Sequence, residues 1–208
     1  MAGGASRKMR PHLQAGAKVL VSYRARTSEN LGSATLEPIG EGPSALFDDR
    51  LALAGLNAAC AVAAGALPER EPHAGAYEAL EALIDAFAVP AIWPAVYVRF
   101  EAGLLQAVGF ELDLSRCAVT GDADDLVWVS PRSGRAVGRT AGAAYADRLI
   151  PLPPFLVAAQ NGVAEGDVGR GLHLTGYFLE RFVFAPLNRP LPPPRVWLAE
   201  RLAEAGRL

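Results

Sequence analysis

"WPAVYVRFEAGLLQAVG", residues 93–109, sets the class of the fold. Trp93, Val96, Tyr97, Phe100, Leu104 and Val108 recur at intervals of three and four, which lays an apolar stripe along one face of an α-helix. Pro94 suits the first turn, where a missing N–H costs little, and Gly109 suits the stop. A stripe of this kind has to be covered by other helices, and the flanking sequence supplies them. Residues 44–67 are rich in Ala and Leu and read as a helix ending near "LPEREP", while residues 73–88 put Tyr77, Leu80, Ile84 and Phe87 on one stripe. Further helices are expected at 166–185 and 194–205, with "LIPLPPF" and "RPLPPP" as proline-set connections. The body of the chain is therefore a helical bundle.

The period changes toward the N-terminus. In "KVLVSYRAR" (18–26), Val19, Val21, Tyr23 and Ala25 alternate with Lys18, Ser22, Arg24 and Arg26, Leu20 being the exception. That is the period of a half-buried strand, with Tyr23 on the inward face. "SENLG" supplies a turn, and "SATLEPI" reads as a returning strand stopped by Pro38. Two strands are marginal alone, and nothing before residue 18 is long enough to add more. Charge separates this unit from the rest. Residues 1–28 hold Arg7, Lys8, Arg10, Lys18, Arg24 and Arg26 and no acid, a local +6 in a chain of net charge −2. A basic face on an acidic body is suited to a polyanion; a solubilising edge is the other reading of the same charges.

Between the helices lies "CAVTGDADDLVWVSPRSGRAVG" (117–138), which reads like half of a metal-binding ribbon. Structural zinc needs four soft ligands in two close pairs. Here Cys117 is alone, Thr120 stands where a CxxC would place its second thiol, and no histidine falls between His73 and His173. Asp122, Asp124 and Asp125 lack the spacing of a calcium loop. No metal is expected. The segment reads instead as a hairpin, "DLVWVS" and "RAVGR" joined by "PRSG", with Trp128 and Val129 supplying the packing and Arg132 and Arg135 near the tip.

Catalysis finds no support. The three histidines, His12, His73 and His173, have no metal-type spacing, and no GxSxG, GxGxxG or GxxxxGK[ST] is present. With 208 residues, 51% hydrophobic and 20% charged, the chain can bury a sizeable core. It has no run able to cross a bilayer and no signal-peptide core. Cys60 and Cys117 stand far apart, so a cytoplasmic protein with reduced thiols, no enzyme and no cofactor, is expected.

The order of parts resembles the RecO family of bacterial recombination mediators, in its α-proteobacterial type. The resemblance rests on "GGASRKMRPHLQAG" (3–16), "LFDDRLALAGLNAACA" (46–61), "LPEREPHAGAYEALEALID" (67–85), "VRFEAGLLQAVGFELDLSRCAVTG" (98–121), "WVSPRSGRAVG" (128–138) and "LTGYFLERFVFAPLNRPL" (174–191), in order over nearly the whole chain. It implies an α+β fold. Residues 1–42 would be a partial OB-fold lacking its early strands, and 43–208 a helical domain with a degenerate zinc-ribbon-like hairpin at about 115–150. In the family several strands precede the basic loop, so the resemblance also implies a longer gene product in which Met1 is an internal start.

For function it implies a DNA-repair and RecF-pathway recombination mediator. Such a protein binds single- and double-stranded DNA, anneals strands, engages RecR and the acidic tail of the single-stranded-DNA-binding protein, and helps load RecA. The DNA-binding residues would be Arg7, Lys8, Arg10, Lys18, Arg24 and Arg26, with Arg99 at the rim of a groove for the partner tail. The alternative is a protein-interaction adaptor whose helical domain docks a tail after DNA binding has been lost with the missing strands.

Overall fold

The structure is a computed structural model that describes residues 13–27, 32–40, 46, 48–158 and 161–208. Two antiparallel strands, β1 (Val19–Arg24) and β2 (Ser33–Pro38), form a hairpin in which Val21 faces Leu36 and Arg24 faces Ser33. Three long helices follow: α1 (Arg50–Ala66), α2 (Ala74–Ala86) and α3 (Trp93–Ala107). A three-stranded sheet comes next, with β3 (Leu126–Val129) between β4 (Ala136–Gly138) and β5 (Ile150–Pro151). Short helices α4 (Arg139–Gly142) and α5 (Pro154–Val157) flank β5, and α6 (Asp167–Phe178) and α7 (Pro193–Glu204) complete the bundle.

Local chemistry explains the boundaries. Helix α1 begins at Arg50 because the Asp49 carboxylate accepts from the N–H groups of Leu51 and Ala52, at 2.9 and 3.0 Å, two donors that no helical carbonyl reaches. The expected earlier start near Ser44 lies outside the described residues, but Asp48 and Asp49 precede the helix. Pro94 sits in the first turn of α3, as its fixed φ favours. At the end of α6 the chain widens into a π-helix over Leu179–Phe184, which carries Phe182 onto Phe110 with ring centroids 4.3 Å apart. The proline run Pro192–Pro194 starts α7 in the same manner as Pro94 starts α3.

Helix α1 lies along α7, and α3 lies between α2 and α6. The apolar stripe of 93–109 is buried as its spacing requires, with Trp93, Tyr97, Phe100 and Leu104 all in the core. The ribbon differs from the expected hairpin in two ways. It gains a third strand, β5, and just after it the Leu152 N–H bonds to Val127 O at 2.9 Å. It is also part of the core, since Val129, Ala136, Val137 and Ile150 are buried with the helices.

The N-terminal hairpin departs further from the alternation. Val21 and Tyr23, expected to face inward, are 54% and 56% exposed, and no described apolar residue of the hairpin joins the core. The reason is that no described strand or helix covers this face of the two-stranded ribbon. Its edges also carry no further described strand. The Tyr23 hydroxyl is used locally, accepting from the Gly32 N–H at 2.9 Å.

Candidate nucleic-acid interface

The six basic residues expected to meet DNA divide into three groups. Arg7, Lys8 and Arg10 lie outside the described residues. Arg24 stands on β1 and Arg26 in the bend after it, both exposed and neither in an ion pair with a described residue. Lys18 is at the root of the hairpin and is engaged. Its ammonium lies 2.5 Å from Glu81 of α2 and 5.8 Å from the centre of the Tyr77 ring. The hydrogen bond and charge of Glu81 raise the Lys18 pKa above its ordinary value, so the group stays an ammonium. By strand alternation Lys18, Ser22 and Arg24 share one face of β1. That surface carries Arg24 beside the hydroxyls of Ser22, Ser33 and Thr35, together with exposed Leu20 and its cross-strand neighbour Glu37, so the cation is concentrated at the Arg24 end, where it suits phosphate contacts without reading bases.

The ribbon's arginines are more occupied. Arg135 pairs with Asp113 at 3.3 Å and Arg139 with Asp125 at 3.1 Å, while Arg132 stays exposed at the turn. Cys117 is 2% exposed, and its sulfur accepts the Gly138 N–H at 3.3 Å. Its backbone closes the adjacent turn, with Cys117 N–H on Asp122 O at 2.7 Å and Gly121 N–H on Cys117 O at 2.9 Å. The thiol thus ties the "CAVTG" turn to strand β4 by hydrogen bonding. Among the described residues no group of three or more His, Cys, Asp or Glu is placed to hold a metal ion.

Hydrogen bonds from the Thr120 side chain, then from the Gly138 N–H, hold the Cys117 thiol down to about 7. Burial instead pushes the Cys60 thiol up. Thiolate absorbance near 240 nm should therefore show a transition centred near pH 7 that Cys117→Ser removes. Because the folded pKa is the lower one, any stabilisation from this thiolate is complete at high pH and is lost as the pH falls through about 7. Chelator should leave the melting temperature unchanged.

Arg99, expected at the rim of a partner groove, is half-buried on α3 and donates to the Phe155 carbonyl. It borders a recess of about 270 Å³ with Gln106, Leu112, Leu114 and Leu156. Two residues on, on the opposite and buried side of α3, is the polar centre that sequence reasoning missed. Glu101 is fully buried and receives the Arg195 guanidinium through Nε at 2.5 Å and Nη2 at 3.0 Å. The Thr175 hydroxyl donates to the same carboxylate at 2.5 Å, and Arg195 also donates to Leu172 O at 2.8 Å. Burial alone would lower the Arg195 pKa, but the Glu101 carboxylate outweighs it and holds the guanidinium charged. The Tyr97 hydroxyl nearby is raised well above its ordinary pKa, first by burial and then by Glu101. The signal was present in the sequence: Glu101 follows Tyr97 by one turn on the apolar stripe, and Arg195 precedes Leu198 and Leu202 on another. This network pins α3, α6 and α7 together, with Glu101, Thr175 and Arg195 all buried.

No helix among the described residues is long and apolar enough to cross a membrane. The family described as "Recombination protein O C terminal" matches residues 48–190. Among curated proteins, the DNA repair protein RecO of Caulobacter sp. (strain K31) is 70% identical over 208 residues, covering all of this chain and 86% of the relative. That of Phenylobacterium zucineum (strain HLK1) is 69% identical with the same coverage. A more distant one, from Cereibacter sphaeroides (strain ATCC 17025), is 51% identical over 97% of this chain and 83% of its own length. No solved structure matches the chain. Helical body, central ribbon and high identity across the whole length agree, and the chain belongs to the RecO family.

Proposed function

We propose that this protein acts in DNA repair as an accessory that binds DNA through its N-terminal basic arm, without breaking or forming covalent bonds. The observation that carries the reading is the placement of Arg24 and Arg26, exposed at one end of a hairpin and in no ion pair with a described acid. They continue the run of cations that begins at Arg7, Lys8 and Arg10 and includes Lys18. On this reading residues 1–42 act as the nucleic-acid unit, with the OB-type character the family resemblance implies, and residues 43–208 act as the scaffold and docking body. The ribbon near 115–150 serves that body as a packed structural insertion.

The finer roles follow from the same reading. Single- and double-stranded DNA would be bound through phosphates, complementary strands brought together, and RecA loading assisted on strands coated by the single-stranded-DNA-binding protein. RecR and the acidic tail of that binding protein are the partners. The recess beside Arg99, with a cation at its edge and Leu112, Leu114 and Leu156 in its wall, has the chemistry for an acidic tail ending in apolar residues. The protein would work in the cytoplasm, at the nucleoid. The adaptor reading, with DNA binding lost, predicts no affinity for nucleic acid at all.

Fluorescence anisotropy with two single-stranded oligonucleotides of unrelated sequence separates the two. Equal affinity for both, lost on Arg24→Ala/Arg26→Ala substitution, is the expected result. No binding to either, or a strong preference for one sequence, would sink the DNA-arm reading.

A further inference from the structure

The hairpin is joined to the helical body in an unusual way. None of its described apolar residues enters the core. Its root is closed by the Ile39 N–H on Lys18 O at 2.9 Å, so the two strands move as one piece. On either side of that root stand Gly16 and Gly40, with φ of +76° and +71°. Both positions lie in the left-handed region, which favours glycine; the Gly16 backbone is hydrogen-bonded to the Cys60 thiol of α1, which marks the body side of the joint. A Cβ at Gly40 would meet nothing within 4 Å, so that joint is also sterically free. Between hairpin root and α2 lies a groove of about 590 Å³, walled by Ile39, Tyr77, Leu80 and Ile84. Across it runs the Lys18–Glu81 pair, with both side chains nearly half exposed.

We propose that this pair is a latch. In the free protein Glu81 occupies a cation of the DNA arm, and a DNA phosphate takes its place on binding. The arm is then free to turn about Gly16 and Gly40 and the groove against α2 opens. The inference rests on the DNA-binding reading given above and adds its regulation. A carboxylate and a phosphate are alternative acceptors for one ammonium, so the exchange needs no proton transfer and no change in the charge of Lys18. Exposed ion pairs are weak, which suits a contact that must yield to a ligand. Its cost to binding is correspondingly small, about two- to fivefold in affinity.

Zero-length carbodiimide coupling of the full chain tests the latch directly, because it joins an amine to a carboxylate only where the two are paired. A Lys18–Glu81 peptide crosslink is expected in the free protein and should be suppressed by saturating single-stranded DNA. Glu81→Gln should tighten single-strand binding about two- to fivefold with no change in salt slope, since Lys18 reaches the phosphate in both proteins. The gain should vanish in Lys18→Ala/Glu81→Gln, which should bind like Lys18→Ala. DNA binding with the crosslink undiminished, or a gain that survives loss of Lys18, overturns the latch and leaves the DNA reading intact. Absence of single-strand binding by the unsubstituted protein overturns the reading beneath it and the latch together.

Discussion

Arg195→Ala should destabilise the protein by about 3–5 kcal/mol, because it leaves the Glu101 carboxylate charged and buried without its main partner. The loss is larger than deleting one hydrogen bond would cause. Glu101 would keep only the Thr175 hydroxyl, and the Leu172 carbonyl of α6 would lose the extra donor that Arg195 supplies. Glu101→Ala should cost a similar amount for the converse reason, a buried guanidinium without a counter-charge. In a chain of 208 residues this lowers the melting temperature by roughly 10 °C. The double variant Glu101→Leu/Arg195→Met should recover most of the loss, since an apolar pair of similar volume avoids the desolvation of two charges. Thermal or urea unfolding of the four proteins measures this. A double variant as unstable as either single one would show that the network acts through shape and not through charge pairing.

The second large effect is expected at Phe178. Its ring is fully buried at the end of α6, 5.1 Å from Phe110 and 5.8 Å from Phe182, with Tyr177 edge-on at 5.2 Å. Phe110 belongs to the segment that leads from α3 into the ribbon, so Phe178 joins the ribbon to the helices. Phe178→Ala removes a large apolar surface and opens a cavity that flanking rings cannot fill without giving up their own stacking. A loss of about 3–5 kcal/mol follows. Phe178→Leu should cost clearly less, because most of the volume is kept. Urea titration gives both values, and equal losses for the two would contradict a cavity as the cause.

Much of the body could be read from spacing alone. The stripe from Trp93 to Val108 located α3 and its buried face, and Pro94 located its first turn. The return strands around "PRSG" were visible because a turn separates two short apolar runs. Strand β5 was not visible, since Ile150–Pro151 offers only two residues and contains the one residue type that strands avoid. The π-helix at Leu179–Phe184 also has no period of its own to detect, being a local widening that serves the Phe110 contact.

The candidate site was legible in part. Charge counting marked out the six cations of residues 1–28, of which Lys18, Arg24 and Arg26 are described, and alternation put Lys18 and Arg24 on one face. What alternation could not supply was the far side of the hairpin. A period-two pattern states that two faces differ, and it carries no information about whether anything covers the apolar one. Val21 and Tyr23 are accordingly exposed. Pairings between distant segments were equally hidden. Lys18 meets Glu81 and Arg195 meets Glu101 across many intervening residues, and each is decided by packing that no local pattern records.

The salt dependence of single-strand binding tests the DNA arm most directly. Each phosphate contact contributes about 0.7 to the slope of log affinity against log salt on a single strand. A linear fall in affinity with salt is expected, with a slope reduced in magnitude by about 1.4 when Arg24 and Arg26 are both replaced by alanine. An affinity that is indifferent to salt, or a slope unchanged by those two substitutions, would contradict the DNA-arm reading.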